Sequence, residues 1–96
     1  MASKKLGSYL SVANTDTTLF TVATGKAVVF NLNVCNTTAT ACTVRVSIGG
    51  DSIEYDTFIG ANGVLERTAL IGQSTEVVSV RASIAGVVFR AYGMEE

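Results

Sequence analysis

The chain has 96 residues, a formal charge of −1 from seven Lys and Arg against eight Asp and Glu, and no Pro, His or Trp. That length allows one domain burying roughly 64% of its unfolded surface and excludes a second. The near-neutral balance excludes the basic face or stripe by which nucleic-acid binders hold phosphate.

Val, Ile and Thr supply 30 residues, an excess that favours pleated strands over helices. Residues 1–18 open the chain as a polar stretch interrupted by Leu6, Tyr9, Leu10 and Val12. They are expected to form either a first edge strand near Leu6–Val12 or an amino-terminal arm lying on a neighbouring subunit. No long apolar run follows Lys4 and Lys5 to make a signal peptide. No window approaches the about 18 apolar residues of a membrane helix. The product is therefore expected to be made in the cytoplasm and kept there, or carried out as part of something larger.

Short strands are expected next, at Leu19–Thr24, Lys26–Asn36, Cys42–Ile48, Glu54–Ile59, Val64–Leu70, Val77–Ile84 and Val87–Tyr92. The loop Thr37–Thr40 reads as a hairpin between the second and third of these. Gly49-Gly50, Asn62-Gly63 and Ala85-Gly86 read as tight reversals. Residues 65–70 also admit a short helix. Seven to eight short strands and no sustained 3.6-residue spacing give the fold class as all-β. The expected architecture is a small antiparallel β-sandwich, jelly-roll or Ig-like, occupying residues 19–96.

Parity places the even residues Val44, Val46, Ile48, Val78 and Val80 inside. The same rhythm turns Cys42 inward and Cys35 outward, which disfavours a disulfide between them. In the two most apolar strands Ala27, Val29, Val88 and Tyr92 fall on the opposite, less wet face. An isolated sandwich shows cleaner alternation there, so partial cover by another chain is expected.

Catalysis finds little support. Without His, proton transfer near neutral pH would need a perturbed carboxylate, Lys or Cys. Glu54 and Asp56, two apart, read as sharing one strand face and as an ordinary solvated pair. The Asp51 region lacks the ordered ligands of a calcium loop, and Gly49-Gly50 lacks the Lys and Ser or Thr of a phosphate loop. Cys35 has no base in reach of the sequence pattern that would make it a thiolate. No catalytic, cofactor-binding or metal-binding residue is assigned, and neither an enzyme nor a cofactor is expected. Candidate interface residues are Leu6, Tyr9, Arg45, Arg81, Arg90 and Tyr92. The three arginines take outward parity amid small residues, where they suit carboxylates across a subunit boundary.

The segments Lys5-Leu6-Gly7-Ser8, Thr17 to Lys26, Val34-Cys35-Asn36-Thr37-Thr38 and Phe89 to Glu95 occur in a recognisable order. In this the chain resembles small β-sandwich structural proteins of tailed bacteriophages, found in capsid decoration and in tail or fibre-associated parts. The likeness covers most of the chain, with Thr24 standing where a proline often precedes the glycine in such proteins. The resemblance implies a virion component present in many copies. It would be made in the host cytoplasm and would self-associate, with a trimer as one form. Its partners would be the major capsid protein or tail components, with no direct nucleic acid and no membrane. A capsid cement or decoration role leads. A tail, baseplate or fibre-associated module, with host-surface binding through Tyr55 and Phe58, is the alternative. Loops Thr37–Ala41 and Ser52–Asp56 are the expected points of contact.

Overall fold

A computed structural model describes residues 3–96, so the first two residues of the expected 1–18 segment lie outside it. Eight strands follow in order: β1 (Lys4–Leu10), β2 (Thr17–Thr21), β3 (Val28–Asn36), β4 (Cys42–Ile48), β5 (Asp51–Ile59), β6 (Val64–Gly72), β7 (Val77–Ala82) and β8 (Val87–Glu95). Residues 65–70 are strand, which settles the helix alternative.

The strands form two four-stranded sheets, β1-β8-β3-β6 and β2-β7-β4-β5. All pairings are antiparallel, and β1 pairs β8, β2 pairs β7, β3 pairs β6 and β4 pairs β5. The chain is thus one long hairpin, with its tip between β4 and β5, folded over itself. Two further pairings, β3–β8 and β4–β7, close each sheet down its middle. This is the jelly-roll form of the two-sheet sandwich.

Only the β4–β5 connection is a hairpin. Its turn uses Gly49 at φ 57° and Gly50 at φ 88°, a backbone that costs glycine nothing and other residues strain. The expected β3–β4 hairpin is not formed, because β3 and β4 lie in opposite sheets. Asn62-Gly63 and Ala85-Gly86 likewise carry the chain from one sheet to the other. A turn residue permits reversal but does not choose the hydrogen-bonding partner of the strand that follows.

The core comes from the inward sides of the four middle strands. Val28, Phe30, Leu32, Val34, Val87, Phe89 and Ala91 meet Val44, Val46, Ile48, Val78, Val80 and Ala82, all buried. Cys42 is buried and Cys35 half-buried, and both are free thiols. Burial pushes the Cys42 thiol above its ordinary pKa, as expected for a thiol that packs as a small hydrophobe.

The opening residues are stitched to the rest of their own chain. Leu6 and Tyr9 pack toward the core, and Tyr9 stacks on Phe89 with ring centroids 6.3 Å apart. A Cβ at Gly7 would lie 2.3 Å from the Leu19 carbonyl oxygen, so the close approach of β1 to β2 requires glycine there. Ser11 is buried; its hydroxyl donates to the Ile84 carbonyl at 2.7 Å and accepts from the Val87 amide at 3.0 Å. A boundary at residues 18 and 19 falls within β2.

Candidate functional site

Both outer edge strands opposite the amino-terminal side carry a bulge. In β5, Val44 pairs Thr57 and Val46 pairs Glu54, so Tyr55 and Asp56 together oppose Arg45. In β6, Phe30 pairs Leu70 and Leu32 pairs Arg67, so Thr68 and Ala69 together oppose Asn31. Asp56 takes φ 53° and Ala69 takes φ 56°. The Asn31 side-chain oxygen accepts the Ala69 amide at 3.1 Å. An extra residue of this kind bends the strand and blunts an edge that would otherwise template further pairing.

The β5 bulge overturns the shared face expected for Glu54 and Asp56. Glu54 turns into the sandwich, where it accepts from the Thr57 hydroxyl at 2.6 Å and from the Arg67 guanidinium reaching over from β6. Asp56 turns outward to Arg45. Ser52 to Asp56 is accordingly strand rather than loop.

Arg45 and Arg81 are directly opposite each other on the outer face of the β2-β7-β4-β5 sheet. Like charges in that position repel, and each is held by a carboxylate of this same chain. Arg45 donates to Asp56 through Nε at 2.8 Å and Nη2 at 3.2 Å, while its guanidinium lies 4.3 Å from the Tyr55 ring centroid. Arg81 meets Asp16 at 3.6 Å. The Arg45 hydrogen bonds hold the Asp56 carboxyl below the ordinary Asp range, and Asp56 in turn raises Arg45. A carboxylate with a depressed folded pKa contributes stability above its unfolded pKa and loses it as pH falls through the folded one. Asp56→Asn is therefore expected to lower the urea midpoint at pH 7 and to leave it nearly unchanged in acid. Paired melts of wild type and variant across that range measure the difference.

The outer face of the β1-β8-β3-β6 sheet is built differently. At one end Leu10, Val88, Cys35 and Val64 align across all four strands. At the other, Met94, Val29 and Ile71 align across three. Between these apolar rows runs a polar belt, Ser8–Arg90–Asn33–Glu66, with Lys5, Tyr92 and Asn31 beside it. Asn33 donates to Glu66 at 3.2 Å. Val29 is 51% exposed and Ile71 60% exposed, although the inward residues of β3 are buried and those of β6 half-buried or buried.

The structure separates the six candidate interface residues into three groups. Leu6 and Tyr9 face their own core; on β1 the outward apolar residue is Leu10. Arg45 and Arg81 lie on one outer face of the sandwich, and Arg90 and Tyr92 on the other. Parity singles out Ala27, Val29, Val88 and Tyr92; the β3–β8 pairing brings the last three onto one surface, while Ala27 lies exposed just before β3. Ile71, Met94 and Val64 complete that surface and were missed, since their part in it appears only once β6 and β8 flank β3.

Among the described residues no group of three or more His, Cys, Asp or Glu is close enough to hold a metal ion. Compared with known proteins, the chain matches no family model and no curated protein.

Proposed function

We propose that this chain is a non-enzymatic structural subunit of a tailed-phage particle, a cement or decoration protein that binds the capsid shell in many copies. The observation that carries the reading is the outer face of the β1-β8-β3-β6 sheet, with apolar rows at both ends of a polar belt. A soluble monomer rarely leaves contiguous apolar strips of this kind uncovered, and interfaces combine apolar area with a limited number of hydrogen-bonding groups. Removing such rows from water contributes about 25 cal/mol per Å², and repetition over a lattice multiplies weak single contacts. The resemblance of its segment order to phage β-sandwich proteins is what directs the reading to a phage particle.

The test is addition of purified protein to preformed shells. Stoichiometric uptake with a rise in heat resistance is expected. Absence from shells with presence in isolated tails would move the assignment to a tail, baseplate or fibre-associated part. The paired substitution Val29→Lys and Ile71→Glu, which sets opposite charges across the β3–β6 pairing, is expected to weaken uptake by roughly a hundredfold or more, as loss of interface anchors does. Both side chains are exposed, so the far-ultraviolet dichroism and melting temperature should barely change. Full uptake by that variant would exclude this face as the contact.

A further inference from the structure

We propose that the outer face of the opposite sheet, β2-β7-β4-β5, carries a binding site for a neutral carbohydrate, centred between Arg45 and Arg81. This inference stands apart from the particle assignment and would survive its failure. A groove of about 260 Å³ runs here, lined by Asp16, Arg45, Ser47, Tyr55, Ser79 and Arg81 among others. That is just under the roughly 300–1,000 Å³ of pockets that take drug-sized ligands, a space for a single sugar ring.

Four features select the ligand class. Two guanidiniums are balanced by two carboxylates, Asp16 and Asp56, so the groove offers a phosphate or carboxylate no net positive field. The two guanidiniums lie side by side on β7 and β4 with a carboxylate outside each, and the N–H groups that these ion pairs leave over can donate to ring hydroxyls. Ser47 and Ser79, paired across β4 and β7, add hydroxyls that both donate and accept. Finally, Tyr55 is 65% exposed as a residue although Arg45 lies against its ring, leaving apolar surface for the C–H side of a sugar. Arg81, held only by its 3.6 Å ion pair with Asp16, keeps donors available. A polyhydroxylated neutral ring satisfies this mixture where an anion or an apolar group would not.

The experiment is an amide chemical-shift titration of the full chain with glucose, galactose, mannose and N-acetylglucosamine at millimolar concentrations, beside inorganic phosphate and acetate. At least one neutral sugar is expected to give saturable shifts at Arg45, Ser47 and Ser79, with the β1-β8-β3-β6 sheet unmoved. Tyr55→Ala should weaken that response by up to about tenfold through loss of the ring contact. Arg81→Ala should weaken it as well, and the unmoved sheet in each spectrum reports that the variant is folded. Silence from every neutral sugar would overturn the proposal. So would shifts with phosphate or acetate alone, an unchanged response in both variants, or shifts that follow protein concentration without ligand.

Discussion

Asn36→Ala is expected to destabilise the protein by about 3–5 kcal/mol, from several part-buried polar groups losing partners at about 1–3 kcal/mol each. Asn36 ends β3 with no exposed surface, at the point where two crossovers between the sheets meet. Its side-chain amide donates to the Thr40 carbonyl at 2.8 Å and the Gly60 carbonyl at 3.1 Å. Its side-chain oxygen accepts the Thr38 amide at 3.0 Å, and the Thr38 hydroxyl oxygen lies 2.7 Å away. The Asn36 backbone amide donates to the Gly63 carbonyl at 2.9 Å. One side chain therefore holds the β3–β4 loop and the β5–β6 loop in register. Alanine removes it without offering those carbonyls another donor. A loss of that size corresponds to a fall of roughly 15 °C or more in melting temperature for a chain this short. Thermal denaturation of the variant measures it, and Asn36→Asp, which keeps the acceptor and removes the donor, should fall short of wild type by a similar margin. A drop of only a few degrees would mean that water enters to replace the amide.

Asn36 also shows which parts of the fold were open to reading from the chain. It continues the inward parity of Val28, Phe30, Leu32 and Val34, and the period-two rhythm predicts that whole face. The same rhythm places Val44, Val46, Val78 and Val80, all of which are buried. Topology was less accessible. Inward parity is the same whether a strand pairs with its predecessor or crosses to the facing sheet, so the loops after Asn36 and Ala82 gave no sign of their crossing. The bulge at Tyr55-Asp56 was hidden for a different reason. Its left-handed residue is Asp56 rather than glycine, and the pair opposes Arg45 through tertiary contact. One extra residue there sends Glu54 inward and Asp56 outward, against their common parity.

The candidate surfaces divide along the same line. Val29, Val88 and Tyr92 stood out because each breaks an alternation within its own strand. Leu6 and Tyr9 were assigned to an interface from a polar segment whose inward side only the β1–β8 pairing reveals. The Arg45–Arg81 contact depends on the register of β4 against β7, which no local pattern encodes. Residues were thus legible where function follows strand parity, and illegible where it follows strand neighbours.

Phe89→Ala tests how far the amino-terminal strand and the sandwich depend on each other. Phe89 is the third residue of β8 and has no exposed surface, between Tyr9 of β1 and Val34 of β3 in register. Truncating a buried Phe costs about 3–5 kcal/mol through lost transfer energy and the cavity left behind. The upper part of that range is expected, because the Tyr9 ring loses its stacking partner and β1 has few other inward residues. Phe89→Leu, which retains most of the volume, should cost about 1–2 kcal/mol. Amide exchange separates the consequences. If β1 is bound chiefly through the Tyr9–Phe89 contact, β1 amides exchange far faster in Phe89→Ala while β4 and β7 speed up only in proportion to the loss of global stability. Uniform acceleration across all eight strands would instead show that β1 opens only when the whole sandwich does. In that case an arm free to exchange with a neighbouring subunit is excluded, and the first strand acts as a fixed edge of the β1-β8-β3-β6 sheet.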